Sequence, residues 1–293
     1  KIGFTLKTQN TQINDFEKQL IFFEELGAGS VEIPLYELDV LCGKKIIRDE
    51  LNLLQKILKT SNLNISLHGS MSVNLMDEIY LDDHVEILKR DIEVCEAINS
   101  KILVTHFGYT NIEIHNDENK YEKILKKQTD IYFKLAEFAK THNVILAIEN
   151  LFPFTQANYA PLPSEIANEI SILNHPNART TIDFSHAYIN CKYNKVDYID
   201  QLRTMVPLTE HLHIHDSFGK LKDMKTHKYS EDVTYGQGDI HLPLGWGSIP
   251  FEEIFSTFSF SPNIFLNFEL SRRYKGYFKK SFDIANNLIQ LMK

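Results

Sequence analysis

The sequence predicts an α/β fold, a single (β/α)8 TIM barrel that spans residues 1–293 as one domain. Short apolar segments alternate with longer amphipathic ones eight times, a pattern typical of parallel strands joined by right-handed crossover helices. The length agrees, because such a barrel takes about 250 residues and the chain has 293. In addition, no linker rich in Gly, Pro or Ser divides the chain.

The short apolar segments are the predicted strands. They cover residues 2–6, 31–35, 65–67, 102–105, 144–148, 180–182, 212–214 and 264–268. Brief, nearly continuous apolar runs of this kind are typical of strands that are buried on both faces of a parallel sheet.

A predicted helix follows each strand. In the first helix, apolar residues recur at helical spacing from Phe16 to Leu26, and Gly27 ends the pattern. The other helices are predicted over residues 46–58, 85–98, 121–140, 164–173, 198–205, 251–258 and 278–292. The longest irregular segment, residues 218–249, follows the seventh strand, and loops of that length are usually functional.

The composition is that of a globular chain with an acidic balance. Hydrophobic residues make up 43% and charged residues 24% of the sequence, which excludes a disordered, collagen-like or coiled-coil chain. The net charge of −8 does not favour non-specific nucleic-acid binding. The 3 cysteines form no CxxC motif, so we expect reduced thiols and a cytoplasmic location. Neither a membrane span nor a signal peptide is predicted.

Histidines and carboxylates follow six consecutive strands. The carboxyl ends of barrel strands meet at one rim, where TIM-barrel enzymes carry their active sites. The residues delivered there are His68, His106, Glu149, Asp183, His186, His213, Asp239, His241 and Glu269. Clustered carboxylates repel one another unless cations compensate, and mixed imidazole and carboxylate groups suit zinc, manganese or iron. The sequence therefore predicts bound divalent metal at this rim.

Motifs around these residues resemble a known superfamily. The segment DFSHA begins at Asp183, and DIHLPLGWG begins at Asp239 in the long segment. In combination with the other rim residues, their order and spacing resemble the xylose-isomerase-like TIM barrels. That superfamily (AP endonuclease family 2) contains endonuclease IV and the sugar phosphate isomerases and epimerases. The resemblance covers about residues 1–290.

The resemblance implies ligands for one to three divalent ions, with zinc, manganese, iron and cobalt as candidates. The three implied sets are His68, His106 and Glu149; Glu149, Asp183, His213 and Glu269; and His186, Asp239 and His241. Every ligand position of the endonuclease IV trinuclear centre has a matching residue, whereas the simpler sugar isomerases use only the second set. The family pattern places the seventh-strand ligand three residues before Asp216, which selects His213.

The first functional hypothesis is metal-dependent isomerisation or epimerisation of a sugar or sugar phosphate. A carboxylate removes the proton beside a polarised carbonyl or hydroxyl, and an acid returns it, through a cis-enediolate. The resemblance implies that Glu149 and Glu269 transfer this proton, and we expect His186 to polarise or orient the oxygen. Substrate contacts are predicted at Lys7, Glu32, His215 and Arg272.

Several of these substrate contacts have a second interpretation. Glu32 fits equally well a polar strand residue that packs against a helix. Lys7 and Arg272 also fit solvated charges. His215 is predicted to face inward one layer nearer the rim than His213, since side chains alternate along a strand.

The second hypothesis is phosphoester hydrolysis at a trinuclear centre, as in endonuclease IV, on abasic DNA or a small metabolite. The complete ligand set favours it, because isomerisation has no evident use for the third set. DNA is disfavoured as a substrate, because Met71 and Ser72 stand where endonuclease IV inserts a Tyr and a Leu into the stack. The loop at residues 7–10 also departs from the glycine-bearing endonuclease pattern.

We therefore rank isomerase or epimerase first and phosphoesterase second. A barrel that binds a metabolite without turnover is a third hypothesis, which the complete ligand set disfavours. The expected partner is a small sugar or phosphorylated substrate, with neither nucleic acid nor membrane, and the sequence leaves the oligomeric state open.

Overall fold

A computed structural model describes residues 1–8 and 13–292, and these residues form a closed barrel of parallel strands. Its strands, β1 to β8 in chain order, are Ile2–Thr5, Ser30–Pro34, Asn64–His68, Ile102–His106, Ile145–Glu149, Ala178–Asp183, Thr209–Ile214 and Phe265–Phe268. Each strand pairs with the next, and β8 closes the barrel against β1, where Ile2 lies opposite Leu266. The predicted (β/α)8 TIM barrel is confirmed.

Helices surround the barrel. Those of the described residues, α1 to α11, are Phe16–Leu26, Arg48–Leu58, Leu81–Ala97, Ile112–His115, Glu118–Thr141, Pro163–Leu173, Phe184–Asn194, Tyr198–Met205, Tyr229–Tyr235, Phe251–Thr257 and Phe278–Ile289. Shorter 3-10 turns cover Ile13–Asp15, Leu35–Glu37, Val206–Leu208 and Arg272–Tyr277. Two-residue strands pair Leu41–Cys42 with Lys45–Ile46, and Thr110–Asn111 with Asn158–Tyr159. None of the described helices combines the length and the apolar character that crossing a membrane requires.

The main apolar core lies between the strands and the helices. Phe4 of β1 points outward, and its ring stacks on Phe23 of α1 with centroids 4.6 Å apart. Phe278 of α11 also stacks on the ring of Phe4, with centroids 5.3 Å apart. Gly27 ends α1 at a φ of 88°, a left-handed conformation that glycine adopts without a Cβ clash. The sequence pattern of the first unit is therefore borne out in its packing.

The barrel interior changes from apolar to polar along the strands. Inward positions alternate, so Ile145, Ala147 and Glu149 of β5 succeed one another from the interior to the rim. Ile102, Val104 and Ala147 form a small apolar cluster of their own inside the barrel. Polar side chains occupy the layers above this cluster, so the candidate site lies on top of tightly packed apolar side chains.

The long segment after β7 is less irregular than predicted, because it contains α9. Its far end is fixed by Asp216, whose carboxylate accepts backbone N–H groups from Ser217, Gly245 and Gly247, each at 2.9 Å. A Cβ on Gly247 would lie 2.3 Å from Asp216 Oδ1, so only glycine allows this close approach. This anchor folds the segment back over the barrel mouth.

Candidate metal centre at the rim

Glu149, at the end of β5, lies at the centre of the predicted ligands. Its Oε1 lies 3.1 Å from His213 Nδ1 and 3.2 Å from His186 Nδ1. Its Oε2 lies 3.4 Å from His68 Nε2 and 3.6 Å from His106 Nε2. One carboxylate therefore offers an oxygen to each of two groups of imidazoles, as a bridging ligand does.

Four side chains form the largest mixed donor group among the described residues. Glu149, Asp183, His213 and Glu269 offer ligand atoms that all lie within 4.8 Å of one another, and all four are buried. His213 Nδ1 lies 3.5 Å from Glu269 Oε2 and 3.9 Å from Asp183 Oδ2. Three carboxylates and one imidazole suit a divalent ion such as zinc, manganese or iron.

Asp183 links this group to the helix behind it. Its Oδ1 accepts the backbone N–H of His186 at 2.7 Å and so caps the N-terminus of α7. Its Oδ2 lies 3.2 Å from His215 Nε2. Because the cap fixes the carboxylate, the second oxygen is held toward His215 and His213.

Asp239, from the long segment, brings the third implied set together. Its Oδ2 lies 3.3 Å from His186 Nε2 and 2.7 Å from His241 Nε2. His241 has a φ of 43°, in the left-handed region that residues other than glycine rarely adopt. Its Nδ1 hydrogen-bonds the carbonyl of Glu269, which ties the segment to the end of β8.

His215, expected as a substrate contact, lies among the candidate ligands. Its side chain is fully buried, and its Nε2 is 3.7 Å from Asp239 Oδ1. Its ring stacks on His241 at 4.1 Å, and together with Glu269 these two histidines form another donor group. The family resemblance implied a single ligand in this part of the chain, His213 of β7, whereas His215 directly follows the strand. The alternation of side chains along the strand was the signal that a second one faces the same site.

The buried carboxylates at the rim need positive charge nearby to compensate their own. Among the described residues, no lysine or arginine lies within 4.0 Å of the carboxylates of Glu149, Asp183, Asp239 and Glu269, whose ion-pair partners are histidines. Burial raises the pKa of Glu149, but His213 and other nearby imidazoles hold it well below its usual range. Positive charge must therefore come from protonated imidazoles or from a bound ion.

Two further observations show that these residues fit a metal. Burial lowers the pKa of His106 to about 4, so this ring is neutral at pH 7 and keeps a lone pair for coordination. The Oε2 atom of Glu149 is buried and has no hydrogen-bond partner among the described residues. An unsatisfied buried carboxylate oxygen is costly, and a divalent cation would remove that cost.

A cavity of about 500 Å³ lies above these groups. Lys7 and Arg272, both predicted substrate contacts, line it, and Arg272 Nη2 lies 3.3 Å from Glu37 Oε2. Aromatic and apolar walls are supplied by Tyr36, Met71, Leu151, Phe152, Phe154, Tyr229 and Leu270. Apolar walls with a few convergent polar groups are typical of small-molecule sites.

Glu32 lies elsewhere. Its side chain is fully buried inside the barrel, 3.1 Å from His213 Nε2, and it is not among the described residues that line the cavity. It packs against strand side chains of the barrel interior. Of the predicted substrate contacts, Lys7 and Arg272 therefore line the cavity, whereas Glu32 lies one layer beneath it.

Solved structures share this architecture at low sequence identity. A D-tagatose 3-epimerase-like protein has a TM-score of 0.71 and 16% identity, over 99% of this chain and 97% of that one. The D-psicose 3-epimerase of Clostridium cellulolyticum H10, solved with D-tagatose, has a TM-score of 0.69 and 13% identity, over 99% of both chains. The IOLI protein with a bound zinc atom has a TM-score of 0.69 and 17% identity, over 99% and 97%.

At the level of sequence, no curated protein matches the chain. A family model described as xylose isomerase-like TIM barrel matches residues 22–284, which is most of the sequence. The superfamily inferred from the rim motifs is therefore confirmed, and the chain belongs to the xylose isomerase-like TIM barrel family.

Proposed function

We propose that this chain is a divalent-metal-dependent isomerase or epimerase of a sugar or sugar phosphate. The observation that carries the proposal is the convergence of Glu149, Asp183, His213 and Glu269 beneath the cavity. A divalent cation held by these residues would supply Lewis-acid polarisation of a carbonyl or hydroxyl oxygen. The epimerase names of two structures with this fold, and the zinc atom in a third, support the proposal.

Glu149 and Glu269 are the proposed proton-transfer pair. Both line the cavity, and they follow β5 and β8, which are not neighbours in the barrel. Their carboxylates therefore reach a substrate from different sides. One removes a proton from a substrate carbon and the other returns one, the division of labour that general acid–base catalysis needs.

The remaining cavity residues bind and orient the substrate. His186 lines the cavity and is held by Asp239 at 3.3 Å, so it is placed to orient a substrate oxygen. Lys7 and Arg272 at the mouth supply positive charge for a hydroxyl-rich or phosphorylated end. The aromatic walls supply apolar contact surface for the carbon skeleton of the substrate.

The test is exchange of carbon-bound hydrogen with solvent. D-Tagatose, D-psicose, D-fructose and their phosphates are incubated in D₂O with the manganese- or zinc-loaded protein, and deuterium at the exchanging carbon is followed by NMR. We expect enzyme-dependent incorporation with at least one ketose, and loss of it in Glu269→Gln. Glu169→Gln, a buried carboxylate of α6 that contacts Thr129, is the matched control. No incorporation with any of these sugars would contradict the proposal.

A trinuclear phosphoesterase is the second candidate, and the placement of Glu149 favours it. Its two oxygens face two groups of imidazoles, and Asp239 gathers a third set. Hydrolysis of bis(p-nitrophenyl) phosphate without any sugar exchange would place this candidate first. We expect no efficient nicking of an abasic-site duplex, because the net charge is −8 and Met71 and Ser72 cannot replace paired intercalating side chains.

A further inference from the structure

We propose that Glu32 is a positioning residue, which holds His213 from beneath so that the Nδ1 atom of that ring faces the metal position. The inference rests on the proposed function, because it concerns the same ion. It gives Glu32 a role in affinity for the metal, and removes it from the residues that touch the substrate.

The surroundings of Glu32 are unusual for a buried carboxylate. Five side-chain groups converge on its two oxygens, and they come from β1, β3, β7 and β8. They are His213 Nε2 at 3.1 Å, His211 Nε2 at 3.2 Å, Thr5 Oγ1 at 3.1 Å, Asn267 Nδ2 at 3.0 Å and Ser66 Oγ at 3.4 Å. Glu32 is thus fixed from all sides as a pure acceptor of hydrogen bonds.

An acceptor at this place decides which nitrogen of His213 carries hydrogen. An ionised carboxylate only accepts, so Nε2 of His213 must donate. In the neutral ring the lone pair is then on Nδ1. That atom lies 3.1 Å from Glu149 Oε1 and 3.5 Å from Glu269 Oε2. A lone pair among carboxylates has no hydrogen to accept, so Nδ1 takes a proton in the metal-free chain and is the atom that would bind the cation in the loaded one.

His211 shows the same preference one layer further down. Its Nε2 lies 3.2 Å from Glu32 Oε2, while its buried Nδ1 has no hydrogen-bond partner among the described residues. This is the pattern of a neutral ring that donates through Nε2 alone. Nε2 of His211 also hydrogen-bonds Ser66 Oγ at 3.3 Å, and that hydroxyl in turn donates to Glu32. The two rings of β7 therefore have the same tautomer, and Glu32 holds His211 both directly and through Ser66. Carboxylates in this place behind metal-binding histidines raise metal affinity about 10- to 100-fold.

An amide cannot replace this carboxylate. The side-chain amide of a Glu32→Gln variant keeps one acceptor oxygen and turns an NH₂ group toward donors that already point at it. At least one of the converging groups, His213 or His211 among them, must then rotate or change tautomer. We therefore expect Glu32→Gln to weaken metal binding without removing any ligand atom.

The experiment measures Zn²⁺ affinity of the metal-free full chain by competition with a chelating indicator. We expect Glu32→Gln to bind zinc about 10- to 100-fold more weakly, with the same stoichiometry at saturation. The change is repeated in two backgrounds. It should have no further effect beside His213→Gln, because Glu32 acts through that ring, and its full effect beside Asp183→Asn. A purely structural role would lower affinity equally in both backgrounds.

Glu169→Gln again serves as the matched control, since it also converts a buried carboxylate to an amide. If the Glu32→Gln chain does not fold, Glu32→Asp carries the test, because the shorter side chain withdraws its oxygens from His213. Wild-type affinity in the Glu32 variant, or an equal loss beside His213→Gln, would overturn the inference alone. Absence of zinc binding by the wild-type chain would overturn the proposed function, and the inference with it.

Discussion

At the scale of the residue, Glu149 concentrates most of the site's electrostatics. It is fully buried, yet its neighbours hold it ionised, because its carboxylate lies among four imidazoles. A buried carboxylate kept charged by its surroundings is a group prepared to bind a cation or accept a proton. Both roles depend on the negative charge, which an amide at this position would lack.

Replacing a carboxylate with an amide removes the charge and keeps the size of the side chain, so it tests the role of the charge directly. We expect Glu149→Gln and Glu269→Gln each to lower the rate of hydrogen exchange in the ketose by at least about 10²- to 10⁴-fold, the usual contribution of an acid–base group. Circular dichroism should show that the fold is intact. Full activity in either variant would refute the assignment of that residue as a proton-transfer group.

Asp91 of α3 gives an expectation that concerns stability. Its oxygens accept the backbone N–H of Ser70 at 2.9 Å and its hydroxyl at 3.1 Å. Burial nevertheless raises the pKa of Asp91 to about 6, above its value of about 3.9 in an unfolded chain. The folded protein therefore holds this proton more tightly than the unfolded one. The stability that protonation gives is complete below about pH 4 and is lost as the pH rises through about 6.

The measurement compares wild type with Asp91→Asn by urea denaturation from pH 4 to pH 7. We expect the free energy of unfolding of wild type to fall relative to the variant by up to about 3 kcal/mol over this range. Contributions from the rim cancel in the difference, because both proteins contain the same ligands. A difference that does not change with pH would show that Asp91 does not titrate in this window.

At the scale of the element, the segment after β7 is a lid whose far end is fixed and whose middle carries ligands. Asp216 anchors the far end, while Asp239 and His241 reach across to α7 and β8. Strand-borne ligands and loop-borne ligands therefore depend on different parts of the chain. They should be separable by mutation.

We expect the double variant Asp239→Asn with His241→Ala to remove one metal equivalent and leave the strand-borne group intact. For an isomerase that uses only the strand-borne ion, activity should fall partly, by about 10- to 100-fold, because His186 loses its partner. For a phosphoesterase, activity should vanish. Metal content by mass spectrometry and both assays decide the outcome. Unchanged metal content would mean that the third set binds no ion in this protein.

At the scale of the whole molecule, folding brings several carboxylates close together at the rim, and their mutual repulsion destabilises the metal-free fold. A cation that binds the folded chain and not the unfolded one stabilises the fold, by about 4 kcal/mol at a thousand times its dissociation constant. For a chain of this size we therefore expect chelation to lower the melting temperature by about 5–10 °C. Calorimetry with and without Zn²⁺ or Mn²⁺ measures the shift, and Asp183→Asn should reduce it.

Two results together would contradict a metal centre. One is a melting temperature that does not respond to any divalent metal or to chelator. The other is less than about a tenth of an equivalent of transition metal in protein purified without chelator, with no gain on reconstitution.

The barrel could be predicted from the sequence because its strands are short apolar runs and most of its helices are amphipathic. α7 was not predicted, because every residue from Phe184 to Cys191 is buried and the helix shows no exposed polar face. α9 was not predicted because a short polar helix in a long loop has no apolar stripe to reveal it.

The rim ligands could also be predicted, since each follows a strand and strand ends share one edge. The layer beneath them could not. Alternation shows that Glu32 and His213 both face inward, but they meet across the barrel, 181 residues apart in sequence. Which inward side chains touch depends on the tilt and register of the strands, and the local sequence pattern predicts neither.

The backbone of His241 has a consequence for protein engineering. At a φ of 43° this residue has a backbone conformation that suits glycine. The contacts of its imidazole with Asp239 and with the carbonyl of Glu269 hold it in that conformation. His241→Gly and His241→Ala should abolish the same ligand, yet the glycine variant should be the more stable by about 1 kcal/mol. Among substitutions that remove this metal ligand, a search for stable variants would thus favour glycine over alanine. Equal stability of the two variants would show that the backbone here is not strained, and that stability and function do not compete at residue 241.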